Sequence, residues 1–80
     1  MDLVGERLFD EVVKLTGLSL LLAAGTVRRA LEEAGVDPKQ ARRDDYLTVL
    51  ASLKRRLMVY LPEPVAEMRI RDIESLLLMT

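Results

Sequence analysis

Gly35-Val36-Asp37-Pro38-Lys39-Gln40 is the stretch of this 80-residue chain that decides its fold. Gly35 suits the position just past a helix C-terminus, where the backbone turns left-handed, and Val36 supplies the apolar contact that follows. Asp37 suits an N-cap, with Pro38 at the first helical position and Gln40 three residues past the cap. One helix should therefore stop here and another begin.

Upstream, Val4, Leu8, Val12 and Leu15 recur at helical spacing, with Phe9 and Val13 widening the stripe, so a first helix is expected over Asp2 to Leu15. Gly17 closes it. A second helix should run from Leu18 or Ser19, with Ser19 as cap, to Ala34. Its later half is amphipathic, with Val27, Ala30, Leu31 and Ala34 opposite Arg28, Arg29, Glu32 and Glu33, and invites the pairs Arg28 with Glu32 and Arg29 with Glu33. Its first half, Leu20 to Ala24, is apolar all round. Gly25, inside the helix, is expected to permit a close helix contact or to mark a bend.

Downstream, neither glycine nor proline interrupts Lys39 to Leu61, and Tyr46, Leu50, Leu53, Leu57 and Tyr60 keep a helical stripe. This predicts the longest helix, from Pro38 to Leu61, with a break near Asp44, which would cap a second start after a short first turn. Pro62 and Pro64 end it and open another, in which Ala66, Ile70, Ile73 and Leu77 face inward and Arg69, Arg71, Asp72 and Glu74 outward. The expected fold is all-α: one domain over residues 1–80, a compact bundle of about four helices joined by short turns.

Composition narrows the chemistry. Half of the residues are apolar and 31% are charged, and the sequence contains no cysteine, histidine or tryptophan. Thiolate and imidazole metal ligands, disulfides, and cysteine or histidine catalysis are therefore excluded. The adjacent carboxylates Asp10-Glu11, Glu32-Glu33 and Asp44-Asp45 point about 100° apart on a helix and do not converge on one proton or ligand. No serine or threonine has a visible base partner. Neither enzyme, cofactor nor metal is expected.

With 12 basic and 13 acidic residues, net charge −1, whole-molecule attraction to nucleic acid or anionic lipid is not expected. The start Met1-Asp2-Leu3-Val4 lacks the features of a signal peptide, and the longest apolar run is far short of the roughly 20 residues of a membrane span. A free-standing cytoplasmic protein, away from the membrane, is the expectation.

Two resemblances are partial. Leu18-Ser19-Leu20 is similar to the attachment region of acyl carrier proteins, but Leu18 stands where that family has Asp. Ala34-Gly35 and Asp72-Ile73 are similar in order to elements of the histone folds, but Pro62 and Pro64 fall where those have a continuous central helix. Neither supplies a function.

The surplus of apolar side chain is the more informative feature. Leu76-Leu77-Leu78-Met79 covers a full helical turn, and three neighbouring helices bury only part of a circumference. The expectation is a regulatory interaction module, a homodimer or an adaptor docking on a larger protein. It would bind through Leu76, Leu77, Leu78 and Met79, with Arg69 and Arg71 at the rim and the start of the second helix as a further contributor. The alternative is a DNA-binding regulator with a helix-turn-helix-like element around residues 27–50, in which Lys39, Gln40, Arg42 and Arg43 begin the reading helix.

Overall fold

A computed structural model describes residues 5–80. Among the described residues it has four α-helices and no strand: α1 Gly5–Leu15, α2 Leu20–Glu33, α3 Arg43–Leu57 and α4 Glu63–Leu78. The chain is an all-α four-helix bundle, 31 × 23 × 21 Å. The part of the first expected helix before Gly5, including Val4, lies outside the described residues. Each helix packs on the next, and α4 closes back on α1.

The stripes read from spacing become the core. Leu8, Val12 and Val13 from α1 meet Ala23, Val27, Ala30 and Leu31 from α2. Tyr46, Val49, Leu53 and Leu57 from α3, with Ala66, Ile73 and Leu77 from α4, complete it. The accessible surface is 5110 Å², near the roughly 4,900 Å² that scaling gives for a folded chain of this mass.

The turns show why the helices stop where they do. Thr16 is buried, donates its hydroxyl to the Val13 carbonyl at 2.8 Å and accepts from the Leu18 amide at 3.3 Å. Gly17 follows at φ 75°. Ser19 is the N-cap of α2, but only its carbonyl is used, accepting from the Ala23 amide at 2.8 Å. At the other end, the Gly35 amide donates to the Glu32 carbonyl and the Val36 amide to the Leu31 carbonyl, each at 2.9 Å. That pair of bonds is a Schellman cap, with Gly35 at φ 76° as it requires.

The helix expected from Pro38 begins later. Asp37 does act on the following amides, its Oδ1 accepting from Lys39 and its carbonyl from Gln40, both at 2.9 Å. The result is one turn, not a helix. The chain restarts at Arg42, whose amide donates to Asp45 Oδ2 at 2.8 Å, so the carboxylate that caps α3 belongs to Asp45 and not to Asp44. The connection from α2 to α3 thus spans residues 34–42. α3 also ends earlier than Leu61, after a last turn that carries Lys54, Arg55 and Arg56 near the negative end of the helix dipole. Met58 to Leu61 form tight turns, and Tyr60, read as part of the inward stripe, is exposed.

Gly25 serves neither role expected of it. It lies within regular α2, and a Cβ built there meets nothing within 4 Å. The pairs expected within α2 also differ: Glu33 joins Arg56 of α3 and accepts from Ser52 Oγ at 3.3 Å. Among the described residues the ion pairs that form inside helices are Glu11 with Lys14, Arg43 with Asp44 and Glu67 with Arg71.

Candidate interaction surface

Consecutive helices run antiparallel, and particular contacts show it. Glu6, Phe9 and Asp10 of α1 border one cleft with Arg28 and Glu32 of α2. Thr26 and Arg29 border another with Arg56, Val59 and Tyr60. Arg43, at the start of α3, donates to the Thr80 carbonyl at 3.1 Å. Arg69 of α4 lies against the α1–α2 turn, its Nε 2.8 Å from where a Cβ on Gly17 would stand. One end of the bundle therefore carries the α1–α2 and α3–α4 turns. The other carries the α2–α3 connection and the C-terminus.

The C-terminal tetrad is split between core and surface. Leu77 is 0% exposed and belongs to the core, so it is not available to a partner, and Leu76 is half-buried against the same core. Leu78 and Met79 are exposed, Met79 at 83%. The reason is periodicity: Leu77 continues the inward stripe of Ala66 and Ile73, while Leu78 and Met79 fall outside it. Arg71 is exposed and paired with Glu67, whereas Arg69 is half-buried over Gly17. These six residues do not form one face.

The helix-turn-helix placement is not what the chain adopts. Lys39 and Gln40 sit in the single turn of the α2–α3 connection, Arg42 is the N-cap of α3, and Arg43 is its first residue. The element between α2 and α3 is a nine-residue connection, 34–42, where a helix-turn-helix has a turn of three to four residues. α3 then runs back along α2, as the Glu33 contacts to Ser52 and Arg56 show. Arg43 is committed to Thr80.

Most of the large exposed apolar side chains among the described residues come from the segments next to the two turns of the turn-bearing end. They are Leu20, Leu21 and Leu22 from α2, Met58, Val59 and Tyr60 after α3, and Met68 from α4; Leu21 is 86% and Val59 76% exposed. Val59 also reaches a cleft it shares with Glu33, the last residue of α2. The all-round apolar start of α2 resolves as Ala23 inward and the three leucines outward. Met58 to Tyr60 escaped sequence reading because the helical stripe was extended through them. The sole local signal was that the pattern there is unbroken apolar and not alternating with polar residues.

Charge frames this end. Arg29, Arg55 and Arg56, the last paired with Glu33, line two adjoining clefts between α2 and α3, of about 200 and 240 Å³, and Val59 borders both. The Nε atoms of Arg56 and Arg69 are buried with no hydrogen-bond partner. On the α4 side stand Glu63 in the first turn and Glu67 one turn later.

Elsewhere, a cleft of about 380 Å³ between α1 and α2 is lined by Glu6, Asp10, Glu32 and Asp37, with Arg28, Lys39, Phe9 and Pro38. Among the described residues no three of these or other carboxylates converge as metal ligands, and no helix is long and apolar enough to cross a membrane. The Tyr46 hydroxyl is buried and makes no hydrogen bond. Burial, and then the charges of Asp45 and Asp10, push its pKa well above the ordinary tyrosine value. No family model, curated protein or solved structure matches this chain.

Proposed function

We propose that the chain is a small non-enzymatic helical interaction module that docks on a protein surface through its turn-bearing apolar end. The observation that carries this reading is the concentration of Leu20, Leu21, Leu22, Met58, Val59, Tyr60 and Met68 at one end of a bundle whose core is already complete without them. Apolar side chains scattered singly need no explanation, but a gathered set rimmed by arginine and carboxylate is what association sites look like. Burying such side chains against a complementary surface removes them from water at about 25 cal/mol per Å².

The reading moves the docking surface away from the C-terminal tetrad. Leu78 and Met79 lie at the opposite end, beside Thr80 and Arg43. No observation favours nucleic acid, since Lys39, Gln40, Arg42 and Arg43 do not align on a helix that leaves its neighbour to enter a groove.

The test is a photo-crosslinking amino acid placed in intact cells at Leu21, at Val59, or at exposed Thr48 in the other half of α3. Discrete protein adducts are expected from the first two positions and none from Thr48. Silence at both Leu21 and Val59 would overturn the interaction reading.

A further inference from the structure

We infer that the cleft between α2 and α3 beside Tyr60 is an oxyanion site, into which the partner docked on the apolar end places a carboxylate or a phosphate. The site stands on its own geometry; that the oxyanion belongs to the docked partner rests on the interaction reading.

The cleft, of about 200 Å³, is lined by Thr26 and Arg29 of α2, Arg56 of α3, and Val59 and Tyr60. Two guanidinium groups thus share one small opening, and no carboxylate lines it. Arginine stays protonated throughout the pH range of a folded protein, so loss of a proton does not relieve the repulsion between them. Glu33 does not serve both. It stands in the adjoining cleft, where its carboxylate takes Arg56 Nη2 and the Ser52 hydroxyl. Among the described residues Arg29 is left with neither an ion pair nor a hydrogen bond, although Glu33 lies one helical turn from it.

The helix dipole accounts for only part of this charge. Arg55 and Arg56 are in the last turn of α3, where the dipole favours a cation whatever stands beside it. Arg29 is not in the last turn of α2, and it gains nothing from that effect. Arg55 lines the adjoining cleft, so three arginines stand against the one carboxylate of Glu33.

These donors suit an oxyanion. A guanidinium fork meets two oxygens of a carboxylate or phosphate at once, and such charge-assisted bonds are about twice as strong as neutral ones. Val59 and the Tyr60 ring flank the same opening, where they hold the apolar carrier of the anion. Both also belong to the apolar end, which puts the anion and the docked surface in one footprint.

The test is an NMR titration of the whole labelled chain with benzoate and with phenyl phosphate at constant ionic strength. Saturable movement of the Arg29, Arg56, Val59 and Tyr60 amides is expected for at least one probe, with a dissociation constant on the order of 1 mM. The tighter probe tells whether the oxyanion is a carboxylate or a phosphate. Arg29→Gln, at an exposed position, should weaken binding about tenfold or more, and Arg29→Lys should keep part of it. Glu33→Gln, which frees Arg56, should tighten it, while Arg28→Gln, in the α1–α2 cleft, should change nothing. Failure of both probes to saturate, or binding indifferent to Arg29→Gln, would overturn the site. The partner's part is read in cells, where Arg29→Gln should diminish the adducts formed by the crosslinker at Leu21. Undiminished adducts would overturn the partner's part. Adducts without any probe binding would sink the site and leave the interaction reading standing; probe binding with no adducts in the unaltered chain would do the reverse.

Discussion

Tyr46 shows how far one side chain departs from its surroundings. Its ring fills the core, but its hydroxyl is enclosed without a partner and lies within the fields of Asp45 and Asp10. An unpaired buried hydroxyl costs about 1–3 kcal/mol, so Tyr46→Phe should raise stability at neutral pH by about 1 kcal/mol in chemical denaturation. The raised pKa fixes the sign at alkaline pH. The unfolded tyrosine ionises near 10 while the folded one stays protonated, so stability is full below that pH and falls as pH rises beyond it. The Phe variant should show a shallower alkaline loss. A variant destabilised at neutral pH would mean that the hydroxyl has a partner after all. The neighbouring leucines of α4 make a second contrast: Leu77→Ala should cost about 2–5 kcal/mol as a core truncation, whereas Leu78→Asp should change stability by less than about 0.5 kcal/mol as a surface change. Equal effects would contradict the division of the tetrad.

Among the elements, helix ends were more legible at some sites than others. The stop at Gly35 was readable because a left-handed cap depends on one residue and its neighbours, and Gly35 and Val36 supply it locally. The start of α3 was legible in part: a restart near Asp44 after a short first turn was readable, but the residue that caps it was not. Asp37, Pro38 and Gln40 carry the right chemistry for a capping box, but the chain spends it on a single turn, and Asp45 reaching back to the Arg42 amide begins the real helix. Two local signals competed, and packing decided between them: Ala41 is buried before α3 begins, which fixes the connection against the core. Gly25 offers a direct test at this scale. Regular α2 passes through it with open space beside it, so Gly25→Ala should stabilise the fold by about 1 kcal/mol through helix propensity alone. A lower melting temperature would show that the glycine serves a close contact.

At the scale of the whole molecule, the all-α bundle and its inward stripes followed from spacing, while the interaction surface was only half visible. Leu20 to Ala24 announced excess apolar surface, but which of those residues face water depended on the rotation of α2 about its axis, which Ala23 settles by packing inward. Met58, Val59 and Tyr60 could not be joined to them from sequence, because they meet at one end only once the antiparallel order is known. The most direct test of the account is the crosslinker at Leu21, 86% exposed, and at Val59, 76% exposed, in intact cells: discrete protein adducts from both and none from Thr48 are predicted, and silence at both Leu21 and Val59 would contradict it.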